Sequence, residues 1–287
     1  MPLFQLSILA LVQGITEFLP ISSSGHLILL PWALGTPDQG LMIDVAVHVG
    51  TLFAVMLFFR RDVARILCGT IHLLTGRRTP DAAFAGLIAI ATIPVVLAGF
   101  LFKVTGLEQA MRSVALIGWT MLGFGIFLYW ADRRGATTRT IADWRLRDAI
   151  VMGLWQAVAL VPGTSRSGIT ITASRLLGFR REDGARISML MSIPTIIASG
   201  TLLATDVVGQ ADWAAAKDAA IAALLAFGAA YVALGLMMRS FVDACRRGAI
   251  DAELDADFHD GLAAQLAMSA LLDSQEHDRW IRLGDVT

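Results

Sequence analysis

Charge is scarce in this chain. Only 16% of its 287 residues are Asp, Glu, Lys or Arg, while 56% are hydrophobic, against about 25% and 45–50% in soluble domains. A mean hydropathy of +0.65 completes the exclusion of a water-soluble fold. The charges that remain nearly cancel, with a net of −1, so the basic face of a nucleic-acid-binding protein is missing. Cysteine is almost absent too. Cys68 and Cys245 stand far apart, which excludes a disulfide framework and a zinc-ligand spacing. The start, Met1-Pro2-Leu3, has no cationic stretch and no Ala-x-Ala-like cleavage site follows, so a removed signal peptide is not expected. What is left is an integral membrane protein.

Apolar runs are abundant. A bilayer core takes about 20 apolar residues to cross as a helix, and five segments qualify: Leu41–Phe59, Phe84–Phe102, Val114–Ala131, Ile187–Thr205 and Ala219–Met238. Two more regions are apolar but interrupted. Leu3–Leu19 runs into Pro20 and a serine cluster and resumes as Leu27–Leu34; Ala149–Val161 runs into Pro162–Gly168 and resumes as Ile169–Gly178. Each half is too short to span, and Pro, Gly and Ser are the residues of turns. Irregular backbone at membrane depth is tolerated only inside protein or along a cavity. Both regions therefore read as re-entrant helix–loop–helix hairpins.

The two interrupted regions resemble each other. An offset of 143 superposes Gln13 on Gln156, Ser22 on Ser165, Ser24 on Ser167 and Gly25 on Gly168, and carries Leu41–Phe59 nearly onto Ile187–Thr205. Arginines follow the first span (Arg60, Arg61, Arg65, Arg77, Arg78), follow the third (Arg133, Arg134, Arg139, Arg145, Arg147), precede the fourth (Arg180, Arg181, Arg186) and follow the fifth (Arg239, Arg246, Arg247). Cytoplasmic loops carry such excess. The first hairpin then enters from outside and the second from the cytoplasm. The expected fold is an all-α integral membrane protein: an inverted-topology internal repeat, with two re-entrant hairpins meeting near the membrane midplane. Residues 1–248 form the membrane domain, with repeats over about 3–131 and 149–248. Residues 249–287 read as a polar cytoplasmic tail, too poor in apolar residues for a final span.

Chemistry concentrates where the two copies differ. Glu17 stands opposite Leu160, Ser23 opposite Arg166, and His26 opposite Ile169. An ionisable group at membrane depth is a functional-site hypothesis by default. If the loops meet, Glu17 and His26 from one hairpin converge with Arg166 from the other. Gly-Ser loops that open a helix suit anions, and a guanidinium suits bidentate phosphate contact. Gln13 and Glu17 share a helix face and supply oxygen ligands of the kind Mg²⁺ or Ca²⁺ takes. His26 suits proton transfer or attack on phosphorus. The parts describe phosphoryl transfer. Competing readings exist: Ser22 or Ser167 alone reads as helix packing, Arg166 as snorkelling, Glu17 as interfacial. Asp44 and His48 read as structural or rim residues, and Trp119 and Trp130 as packing or interface anchors.

Q-G-I-T-E-F-L-P-I-S-S-S-G-H at 13–26 and P-G-T-S-R-S-G-I-T at 162–170 resemble the two motifs of the bacterial undecaprenyl pyrophosphate phosphatase family, also called the bacitracin-resistance family. Flanks at 44–55 and 185–194 resemble it too, and the similarity covers roughly residues 3–240. The resemblance implies hydrolysis of a C55 polyprenyl diphosphate to its monophosphate and phosphate. That recycles the carrier for peptidoglycan and accounts for bacitracin resistance. It implies a divalent cation (Mg²⁺ or Ca²⁺), a multi-pass place in the bacterial inner membrane and a site opening to the extracytoplasmic side; a homodimer is compatible with it. By motif position, Gln13 and Glu17 would serve metal and diphosphate, and Arg166 would bind phosphate. Ser23 and His26 would be nucleophile or acid–base, in either order. Ser22, Ser24, Gly25, Ser165, Ser167, Gly168 and Thr170 would line the phosphate pocket. The chain departs from the pattern twice: Gln13 stands where Glu is common, and the polar tail replaces a sixth span. The alternative is a polyprenyl-phosphate flippase or transporter, because inverted broken helices are transporter architecture.

Overall fold

A computed structural model of the chain describes residues 1–107, 111, 113–207 and 213–247. Within them every regular element is a helix: α1 (Leu3–Thr16), α2 (Ser23–Ala33), α3 (Leu41–Phe58), α4 (Arg60–Leu74), α5 (Pro80–Thr105), α6 (Val114–Arg134), α7 (Leu146–Val158), α8 (Arg166–Leu176), α9 (Arg181–Val207) and α10 (Trp213–Arg247), with a 3₁₀ turn at Ile141–Asp143. Five stretches are long and apolar enough to cross a bilayer: Leu41–Phe58, Pro80–Thr105, Val114–Arg134, Arg181–Leu202 and Ala215–Met237. Their outer faces carry exposed large side chains such as Leu97, Trp119, Leu224 and Val232. On a soluble protein such a belt would be an aggregation hazard; against lipid tails it is solvent-matched. The polar tail expected over 249–287 lies outside the described residues.

Local signals set the ends. Thr79 caps α5 by accepting from Ala82 N at 3.1 Å, with Pro80 at the first helical position and Gly106 left-handed at the far end; this start is four residues earlier than the sequence reading placed it. Ser113 caps α6 in the same way. Residues 60–74, counted in the sequence as an arginine-rich loop, are helical. Their apolar and charged residues alternate at helical spacing, which a count of cations overlooks.

The interrupted regions are short helices joined by turns, α1–α2 and α7–α8. Each begins its second helix on a serine cap: Ser22 accepts from Gly25 N at 3.4 Å and Ser165 from Gly168 N at 3.1 Å. The bounds repeat at the offset of 143, since α1 and α7 start at Leu3 and Leu146, and α2 and α8 run 23–33 and 166–176. Packing is exchanged between halves, with α1 against α10 and α7 against α5. Both approaches need glycine. A Cβ on Gly14 would lie 2.7 Å from Ala230 N, and one on Gly153 2.5 Å from Ala91 O.

Arginines read as topology markers are also clamps. Arg186 forks onto Asp62 at 2.7–3.0 Å, Arg65 reaches Asp81 at 3.0 Å, and Arg139 bridges Asp148 at 2.6 and 3.0 Å. Arg175, 1% exposed, donates to Asp132 Oδ1 at 2.8 Å and to the carbonyls of Gly135, Ala136 and Phe179. These bonds satisfy helix-end carbonyls that would otherwise be orphaned.

Candidate active site

Glu17 follows the last turn of α1, its N–H on Gln13 O at 2.9 Å. Pro20 disfavours helical backbone in the residue before it, so the chain turns there. It re-enters a helix at Ser23 through Ser22, whose φ of 58° is the only positive value on a non-glycine among the described residues. That conformation costs of order 1–3 kcal/mol and clusters at active sites and ligand clamps. It brings Ser23 back to Glu17. Ser23 Oγ donates to Glu17 Oε2 at 2.6 Å, and Gln13 Nε2 donates to the same oxygen at 2.8 Å. The other oxygen, Oε1, accepts from Arg166 Nη2 at the start of α8. The Glu17 side chain is 4% exposed and that of Arg166 17%, so the pair sits in the interior with a narrow opening. Losing one partner of a buried pair costs about 3–5 kcal/mol.

The second loop is fastened to the first by hydroxyls. Ser167 Oγ donates to Leu19 O at 2.7 Å and Ser165 Oγ to the same carbonyl at 3.4 Å. Gly163 bends back at φ 87° under α6, where Thr120 Oγ1 donates to Pro162 O at 2.6 Å. A shallow recess beside the loops is lined by Pro20, Ile21, Phe124, Leu128, Ser165, Gly168 and Ile169.

Glu17, Gln13, Ser23 and Arg166 are thus brought together. Ser22, Gly25, Ser165, Ser167 and Gly168 build the two turns around them, and Ser24 is exposed beside Ser22 at 3.4 Å. Thr170 is not brought to the pair: it is fully buried, with its hydroxyl on Arg166 O and on Ser188 Oγ at 2.6 Å. His26 sits one turn beyond the Ser22 cap of α2 with Nδ1 on Ser22 O at 2.8 Å, and no hydrogen bond or ion pair joins it to Glu17 or Arg166. The imidazole that does reach the carboxylate is His48, Nε2 to Glu17 Oε2 at 3.6 Å. The sequence reading set His48 aside as a rim residue. The spacing Asp44-x-x-x-His48 was the available signal, because it puts both side chains on one face of α3.

Oxygen ligands for a hard cation are present but few. Gln13 Oε1 is buried without a partner, on the amide that already touches Glu17. Among the described residues no three His, Cys, Asp or Glu side chains cluster. One carboxylate and one amide oxygen fit Mg²⁺, which is held by one or two carboxylates and substrate phosphates.

The model of the family described as Bacitracin resistance protein BacA matches residues 6–244. The chain is 64% identical over 240 residues to the undecaprenyl-diphosphatase of Dinoroseobacter shibae, covering 83% of this chain and 90% of that one. It is 61% identical over 240 residues to the enzyme of that name in Roseobacter denitrificans, with the same coverage. Undecaprenyl-diphosphatase 1 of Rhodospirillum rubrum is 46% identical over 244 residues, 83% of this chain and 86% of that one.

Proposed function

The chain belongs to the bacitracin resistance protein family, and we propose that it hydrolyses undecaprenyl diphosphate to undecaprenyl phosphate and inorganic phosphate. Lipid carrier is thereby returned to peptidoglycan synthesis, and bacitracin resistance follows. One observation carries the chemistry: Ser23 Oγ donates at 2.6 Å to a buried carboxylate whose other oxygen holds Arg166. A serine hydroxyl on a carboxylate is a nucleophile beside its base. Glu17 takes the hydroxyl proton as Ser23 Oγ bonds to the terminal phosphorus. The bridging P–O bond breaks, and undecaprenyl phosphate leaves. Water then attacks the phosphoserine, releasing phosphate and restoring Ser23. Arg166 turns its fork from Glu17 to the phosphate oxygens, where charge develops in transfer. Glu17 and Gln13 would hold a Mg²⁺ or Ca²⁺, which when bound neutralises diphosphate charge.

The same reading gives the architecture. The halves form an inverted repeat, and α1–α2 and α7–α8 are re-entrant hairpins meeting near the midplane. The coincident bounds and the exchanged packing of α1 and α7 support this. The arginine-rich ends face the cytoplasm and the site opens outward in the inner membrane.

The test is acid quench of the purified full chain during turnover of terminally ³²P-labelled undecaprenyl diphosphate. Label is expected on the protein, and Ser23→Ala is expected to carry none. Unlabelled wild-type protein during active turnover would reject the serine nucleophile in favour of directly activated water.

A further inference from the structure

His48 is the unassigned group nearest the chemistry. Its Nδ1 lies 2.7 Å from Asp44 O. A carbonyl only accepts, so Nδ1 carries the hydrogen and the lone pair of the neutral ring is on Nε2. That atom faces Glu17 Oε2 at 3.6 Å. That oxygen also accepts from Ser23 and Gln13, and a proton or a metal ion is what could join it to an imidazole nitrogen that carries no hydrogen. An Nδ1–H held by a backbone carbonyl, leaving Nε2 outward, is the orientation that metal-binding histidines adopt.

A second observation points to the same spot. Gln13 is fully buried and its Oε1 has no partner, while its Nε2 is 2.8 Å from the oxygen that His48 faces. A half-turn of that amide would exchange the two atoms and present Oε1 beside Glu17 Oε2. Without a cation that swap sets oxygen against oxygen; with one it completes a ligand set. The support behind His48 is also built. Gln39 Nε2 ties Asp44 Oδ1 at 2.6 Å to Leu27 O at 3.2 Å, fixing the start of α3 on α2.

We infer that His48 Nε2 is a direct ligand, with Glu17 and Gln13 Oε1, of the divalent cation, making this a mixed nitrogen–oxygen site. The inference rests on the phosphatase reading for the presence of a cation, and adds which atoms hold it. Its consequence is selectivity. Imidazole suits Zn²⁺, Fe²⁺ and Ni²⁺ rather than Ca²⁺, so these ions are expected to bind more tightly than Ca²⁺, and Mn²⁺ serves as the paramagnetic probe of the site. Arg166, on Glu17 Oε1, is the competing cation, and an incoming diphosphate draws it away.

The experiment is pulsed EPR on chelator-stripped full chain reloaded with Mn²⁺, with and without methylenediphosphonate, in protein labelled with ¹⁵N-histidine. A ¹⁵N coupling on bound Mn²⁺ is expected in wild type and in His26→Ala, and is expected to vanish in His48→Gln. Mn²⁺ affinity should fall about ten-fold or more in that variant, with Ca²⁺ affinity changing less. Bound Mn²⁺ without histidine coupling in wild type would leave His48–Glu17 as an ion pair only and overturn the assignment. So would coupling that survives in His48→Gln, or no Mn²⁺ binding under either condition. The first measurement needs no variant, so misfolding cannot mask it. Phosphate release by wild type decides the phosphatase reading separately.

Discussion

Arg166 and Glu17 hold one another at the centre of the site, and their variants should fail differently. Arg166→Ala leaves a buried carboxylate without its guanidinium, so phosphate release is expected to drop about 10²- to 10³-fold, the loss typical of one charge-stabilising donor. Thermal stability should fall as well. Arg166→Lys keeps the charge but not the fork, and is expected to restore stability more than turnover. Equal recovery of both would show that charge alone matters there. The pair was legible from sequence because a carboxylate and a guanidinium stood at the unmatched positions of two similar loops. His48 was not legible. A lone histidine in an apolar run has no sequence partner, and its approach to Glu17 depends on how α3 is rotated. The hydroxyls of Ser165 and Ser167 were expected in a phosphate pocket, and the structure spends both on Leu19 O; residue type gave their polarity but not their direction.

Elements meet closely enough here for glycine to be required. Gly14→Val would drive a side chain into Ala229 and Ala230 of α10, where a Cβ alone stands 2.5 and 2.7 Å away. Overpacking of that kind costs about 1–3 kcal/mol. A lowered detergent-solubilised Tm is the expected reading, and an unchanged Tm would mean that α1 is not seated on α10 in the bilayer. Asp143 caps the turn between the halves, accepting from Thr140 N at 2.9 Å, and that bond holds its carboxyl below the ordinary range. A depressed carboxyl stabilises above its unfolded pKa and loses that contribution as pH falls through the folded value. Asp143→Asn should therefore lose stability near neutral pH and show a flatter decline below about pH 4, by melting curves across pH. Spans and breaks were legible from hydropathy and from Pro, Gly and Ser. The helix at Arg60–Leu74 was not, because its length is below a span and its charge resembles a loop.

The molecule as a whole carries its arginines at the ends where α3, α6 and α8 finish and α4, α7 and α9 begin. Cys68 is exposed in α4, on the side that the proposed orientation assigns to the cytoplasm. In a Cys245→Ser background, a membrane-impermeant maleimide should label Cys68 in inverted vesicles and spare it in intact spheroplasts. Labelling in spheroplasts would reverse the orientation. Chelator should abolish phosphate release from undecaprenyl diphosphate and Mg²⁺ or Mn²⁺ restore it; release indifferent to chelator would remove the cation from the reaction. A serine hydroxyl placed on a buried carboxylate beside an arginine is a nucleophile with its base, so the site favours hydrolysis over the flippase alternative. Hydropathy made the all-helical plan with five spans readable.

The carboxylate and its guanidinium stand 149 residues apart in the chain. A ribosome adding about 5–20 residues per second therefore inserts Glu17 some 7–30 s before Arg166 exists. For that interval the pocket is half built, and His48, only 31 residues downstream of Glu17, is the earlier of the two groups that reach its carboxylate from beyond α1 and α2. On the proposed mechanism the nascent chain turns over no lipid diphosphate until its second half arrives.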